Sequence, residues 1–171
     1  MTVHSITIFD RKGKTLFTKT YSSIAAKQQR YLLESGTAEP GSDPVTEQRK
    51  LIFGMLYSLR ELVGNLTPES SGQSLQAVRT GSTTVHTFET ISGLRLALYT
   101  SNDVPSSNTS ERTDYSETTF ARDALRHVYA NLWVECVIRS PMYVGSGNID
   151  VKTTTFEREL DSYLSALPWF R

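Results

Sequence analysis

The chain opens on two short apolar runs divided by a polar stop. Val3, Ile6, Ile8 and Phe9 come first, Asp10-Arg11-Lys12-Gly13-Lys14 interrupts, and Leu16, Phe17 and Tyr21 follow. Gly13 can take positive φ without steric cost, so the pattern predicts a β-hairpin closing there. A phosphate loop would need more glycines and a helix directly after it, whereas a second strand-like run follows. The polar stop is expected to be a bend. Residues 22–43, ending ESGTAEPGSD, carry no apolar period after Leu33 and are expected to form an inserted, mobile loop with room for one helical turn.

Asp43 suits a helix N-cap, with Pro44 at the first helical position. Ile52, Met55, Leu56, Leu59, Leu62, Val63 and Leu66 then recur at steps of three and four, predicting an amphipathic helix with one buried stripe. At about 100° per residue, Phe53 and Tyr57 fall well away from the centre of that stripe, in company with Arg49, Lys50 and Arg60. They are expected on the wet face. Gly54 and Ser58 lie beside them, and an interior glycine costs about 1 kcal/mol relative to alanine unless another backbone approaches closely. Arg49, Phe53, Gly54, Tyr57, Ser58 and Arg60 are therefore the candidate partner-binding residues; the competing reading is that a second layer of the same chain covers the aromatics.

SLQAVRT (74–80), TTVHTFET (83–90) and LRLALYT (94–100) predict three further strands, the last two joined by Ile91-Ser92-Gly93. Residues 101–115 have one aliphatic side chain and are expected to be a mobile loop. A second helix is predicted from about Ser116 to Arg139, with Ala121, Leu125, Val128, Tyr129, Leu132 and Cys136 along one side and Phe120, Val134, Val137 and Ile138 on the others. After SPMYVGSGN, a capping box from Thr154 to Glu157 starts a third helix whose stripe is Phe156, Leu160, Tyr163, Leu164 and Leu167, before Pro168 stops it. The order is ββαβββαα, an α+β chain.

A length of 171 residues at 38% hydrophobic content supports one core and one domain spanning 1–171. Eighteen basic residues balance eighteen acidic ones, so no overall cationic field gathers nucleic acid or anionic lipid. The single cysteine, Cys136, gives no disulfide framework and no zinc spacing, which fits the cytosol. No run approaches the roughly 18 to 20 apolar residues of a spanning helix, and MTVHSITIFD has neither the basic flank nor the apolar core of a signal peptide. Direct membrane insertion is not expected; association would go through a partner.

The search for chemistry returns little. A G-x-S-x-G turn is absent, and GSGN at 145–148 lacks the rest of a nucleotide loop. His4, His86 and His127 fall on separate elements with no paired spacing. Cys136 sits among Val134, Val137 and Ile138, where a thiol is an ordinary small hydrophobe. Glu157, Glu159 and Asp161 are expected to be a solvated face. No acid, base and oxyanion set assembles, and no catalytic residue, metal or cofactor is expected.

The segments MTVHSITIFDRKG, KLIFGMLYSLRELV, HTFETISGLRLALYTSND, LRHVYANLWVECVIRSP and FERELDSYLSALPWF, in that order, closely resemble the family of first subunits of the TRAPP (transport protein particle) vesicle-tethering complex. The likeness covers nearly the whole chain, with departures at 22–43 and 102–115. It implies a longin-like (SNARE-like) fold: a five-stranded antiparallel sheet with the first helix on one face and the last two on the other. It also implies a scaffold that pairs with a second longin-type subunit, first helices side by side. Together the subunits would act as guanine-nucleotide exchange factor for a Rab GTPase at the endoplasmic reticulum to Golgi step. An exchange factor works by preferring the nucleotide-free conformer, which needs complementary surface and no proton-transfer group. A small coat-adaptor chain shares the fold and is the alternative. A fusion SNARE should append a heptad coiled coil and an anchor, whereas this chain stops at Arg171; an enzyme would need a deep polar pocket.

Overall fold

The computed structural model describes residues 2–21, 44–66, 75–81, 83–101, 110–140 and 154–169. β1 (Val3–Phe9) and β2 (Thr15–Thr20) form the expected hairpin. Asp10 Oδ1 accepts the backbone N–H groups of Lys12 and Lys14, both at 2.8 Å, and Gly13 takes φ 82°. The carboxylate is thus consumed by the turn itself, and the polar stop is a bend. β3 (Ala77–Thr80), β4 (Thr83–Glu89) and β5 (Arg95–Ser101) complete a five-stranded sheet of order β2-β1-β5-β4-β3, with every neighbouring pair antiparallel.

Because side chains alternate along a strand, the sheet divides the core in two. Ile6 and Ile8 of β1 and Leu96 and Leu98 of β5 point into the larger cluster. Phe9, Val85 and Ala97 point the other way, into a smaller one. α1 (Pro44–Leu66) covers the smaller side through Leu56, Ile52 and Phe53. The larger side takes α2 (Ser110–His127, continuing as a π-helix over Val128–Ile138) and α3 (Thr154–Ala166). This is the longin-like layering, one helix against two.

Two expectations need correction, and others fall outside the described residues. Residues 110–115, read as loop, are helical, because α2 starts at Ser110 rather than near Ser116. Residues 22–43, with the Asp43 cap, and 102–109 lie outside the described residues, as does GSGN at 145–148. The carboxylates of α3 are not merely solvated: Lys19 of β2 reaches Glu157 and Asp161, each at 2.6 Å, and the Tyr21 hydroxyl lies 3.1 Å from Asp161. Burial alone would lower the Lys19 ammonium, but hydrogen bonds to Asp161 and then Glu157 hold it above its ordinary value. The pairs pin α3 to the sheet edge in register more than they stabilise it, since both carboxylates stay half exposed.

The inward face of the second helix also differs from the expected one. Ala121, Leu125 and Val128 are buried as predicted, but the next buried positions are Trp133 and Val137, while Tyr129, Leu132 and Cys136 sit at the flank. In an α-helix, residues five and nine beyond Val128 would lie roughly 140° and 180° away from it. With i→i+5 bonding and roughly 4.4 residues per turn, they return to within roughly 50° and 20°. The π segment is what brings Trp133 inward, where its ring meets Phe156 edge-on at 5.3 Å and Phe156 meets Phe17 at 5.0 Å.

His86 lies in the larger core, 3% exposed, its Nε2 3.1 Å from Thr100 Oγ1 and its Nδ1 without a hydrogen-bond partner among the described residues. Burial pushes the imidazole down from 6.5 to about 4. The folded state therefore refuses a proton that the unfolded chain accepts. Stability is fully present above about pH 6.5 and falls by about 3 kcal/mol as the pH drops to about 4. Urea midpoints measured between pH 7 and pH 4 should show this slope, and His86→Val should remove its share; an unchanged slope in the variant would assign it elsewhere.

Candidate partner-binding face of the first helix

The apolar stripe of α1 is wider than the core that receives it. Leu56 is buried at 1% exposure, and Ile52, Leu59 and Val63 are half-buried, but Leu51 (74%), Met55 (36%), Leu62 (53%) and Leu66 (76%) face outward. Three members of the stripe expected to be core, Met55, Leu62 and Leu66, are thus exposed. The helix is turned by roughly 60° from the orientation its apolar residues alone would choose.

Phe53, expected on the wet face, supplies the reason. Its ring packs on Phe9 with centroids 5.6 Å apart, and a Cβ on Gly13 would meet its Cδ1 at 2.7 Å. Glycine at position 13 therefore serves the turn and the seat of Phe53 together. Tyr57, 48% exposed, stacks on Phe53 at 6.4 Å. Beneath both rings lies Arg95, a cation only 5% exposed, its guanidinium 5.0 Å from the Phe53 centroid and 6.0 Å from that of Tyr57. Its Nη2 is 3.3 Å from Glu89, the residue directly across on β4, whose other oxygen takes Arg60 Nε at 2.9 Å. Charge burial at Arg95 requires a carboxylate and favours aromatic faces, and α1 rotates to supply the aromatics.

The six candidate residues consequently divide. Phe53 and Arg60 are engaged with the sheet, and Arg49 is half-buried. Gly54, Tyr57 and Ser58 remain exposed, with Ser58 Oγ donating to the Gly54 carbonyl at 2.9 Å. Among the described residues nothing outside the helix lies within 4 Å of where a Gly54 Cβ would stand, so none of them gives that glycine a reason. Sequence reasoning missed Glu89 and Arg95. A Glu and an Arg flanking a tight β-turn were a usable signal, since such residues face one another across an antiparallel pair.

The remaining groups are structural. His127 stacks on Tyr163 at 4.2 Å, and burial, then Glu159 and Glu135, pushes the Cys136 thiol up. A water-sized cleft between Leu56, Arg60, Leu75, Thr87, Glu89 and Arg95 is too small for a metabolite. Among the described residues no group of three or more His, Cys, Asp or Glu could hold a metal, and no helix is long and apolar enough to cross a membrane.

Residues 3–167 match the Sybindin-like family. The chain is 30% identical over 171 residues to Trafficking protein particle complex subunit 1 of Bos taurus and of Homo sapiens, covering 99% of this chain and 97% of each relative. Trafficking protein particle complex subunit BET5 of Saccharomyces cerevisiae is 24% identical, covering 98% of each chain. Among solved structures, MglB of Myxococcus xanthus aligns with a TM-score of 0.39 at 12% identity, covering 74% of this chain and 83% of its own. A family match over nearly every residue, together with relatives at 30% identity end to end, shows that the chain belongs to the Sybindin-like family.

Proposed function

We propose that this chain is a non-catalytic core scaffold of a TRAPP-type tethering complex. In this reading it contributes part of the composite surface that promotes guanine-nucleotide exchange on an early-secretory Rab GTPase during endoplasmic reticulum to Golgi transport. The observation that carries the reading is the end-to-end match to relatives named as subunits of the trafficking protein particle complex. The open side of α1 supports it, because Leu51, Met55, Leu62 and Leu66 are exposed along one side of the helix, where a second longin-type subunit would cover them. The GTPase is reached through the assembled complex, and the complex holds the chain at Golgi and endoplasmic reticulum membranes. No cofactor takes part.

The test replaces Met55 and Leu62 together by arginine in a tagged chain purified from its native cell. Phe53 is left intact, since it supports the fold. The wild-type chain is expected to bring other complex subunits with it, and the variant to keep its melting temperature while losing the adjoining subunit. Hot-spot truncations cost about 2 kcal/mol or more each, so affinity should fall by more than about thirty-fold. The isolated chain should leave nucleotide release from a loaded Rab at its intrinsic rate. Large acceleration by the chain alone, or recovery of coat components in place of tethering subunits, would overturn the proposal.

A further inference from the structure

The β1–β2 and β4–β5 turns are near copies. Gly13 N donates to the Asp10 carbonyl at 3.1 Å and Gly93 N to the Thr90 carbonyl at 2.9 Å, and both glycines take φ 82°. Each turn is also braced by its first side chain: Asp10 Oδ1 accepts from Lys12 N and Lys14 N, and Thr90 Oγ1 from Leu94 N at 3.0 Å. Since Phe9 pairs with Arg95, the two turns leave the same end of the sheet side by side. They touch there: a Cβ on Gly93 would stand 2.9 Å from Arg11 Cβ. With the turns braced by their own first side chains, Arg11, Lys12 and Ile91 are left pointing outward.

Those side chains are unusual for turns. Ile91 is fully exposed, at 110% of its reference area, in a position where polar residues or proline are the rule. Arg11 and Lys12 are exposed and have no ion-pair partner among the described residues. Asp10, the acid of the first turn, is spent on backbone N–H groups, and Glu89, near the second, on Arg95 and Arg60. Against the single negative charge of Asp10 the first turn carries Arg11, Lys12 and Lys14, so the end of the sheet is cationic with an apolar point, although the whole chain is neutral.

We propose that this end of the sheet, Arg11, Lys12 and Ile91, docks on an anionic bilayer surface, the cations on headgroup phosphates or carboxylates and Ile91 at the headgroup–acyl boundary. A bilayer fits better than an acidic protein because Ile91 projects fully exposed from a braced turn. A folded partner would need a matching concavity, whereas headgroups yield around a projecting side chain. The contact is peripheral and independent of which complex the chain joins. It would set which end of the molecule points at the membrane.

The experiment observes isoleucine methyl resonances of the full chain on bicelles carrying spin-labelled lipid, with and without phosphatidylserine. Ile91 should broaden on anionic bicelles while buried Ile6 and Ile8 do not, and the effect should disappear in high salt. Arg11→Glu with Lys12→Glu, or Ile91→Asp alone, should weaken binding at least about five-fold without moving the melting temperature. Equal broadening on neutral bicelles, no broadening on anionic ones, or binding to polyglutamate instead of bicelles would overturn the proposal.

Discussion

Replacing Glu89 by alanine should destabilise the fold by about 2 to 4 kcal/mol, read as a drop in the urea midpoint with an unchanged slope. The carboxylate bridges Arg95 at 3.3 Å and Arg60 at 2.9 Å, and only the second cation has water to fall back on. Arg95, 5% exposed, would be left as a buried charge whose remaining support is two aromatic faces. Removing one partner of a buried pair is far costlier than replacing both, because the orphaned ion keeps its full desolvation penalty. The double variant Glu89→Leu with Arg95→Met should accordingly recover most of the loss. If Glu89→Ala shifts stability by less than about 0.5 kcal/mol, Arg95 finds solvent by some other route and the account of why α1 is turned fails.

Trp133→Ala should cost about 3 to 5 kcal/mol, the range for emptying a large aromatic site in a packed core. Trp133 is 1% exposed, its ring edge-on to Phe156, which in turn meets Phe17 of β2. For a chain of this length the melting temperature should fall by roughly 10 °C. The informative control is Leu132→Ala. A regular α-helix would carry Leu132 inward, four residues past Val128, and leave Trp133 outside, whereas the π segment reverses the two. A larger loss at Leu132 than at Trp133 would sink the π phase.

How much of this was legible beforehand depends on which periodicity the residues had to obey. Strands read well because their period of two leaves little latitude: Ile6 and Ile8 against Phe9, and Leu96 and Leu98 against Ala97, name both faces of the sheet without further knowledge. α3 read well for a similar reason, its buried Phe156, Leu160 and Leu164 lying on one α-helical stripe. The second helix was misread because steps of five and four, from Val128 to Trp133 to Val137, have no meaning at 3.6 residues per turn. α1 was misread for a different reason. Apolar count alone chose Met55, Leu62 and Leu66 as core, but a cation on another element drew Phe53 inward and turned them out. That displacement is long-range, and it leaves the open stripe on which the proposed assembly depends.

The π segment carries one more implication, for how the gene tolerates changes of length. Insertions and deletions inside a core helix are ordinarily ruinous, since each shifts every later side chain by about 100°. Here the helix already holds a surplus. Losing one residue between Val128 and Trp133 would let an ordinary α-helix present Val128, the tryptophan and the valine four beyond it to the sheet at steps of four, with the same side chains facing in. The stretch around Tyr129–Leu132 is thus a place where relatives can differ by a residue and still share one interior.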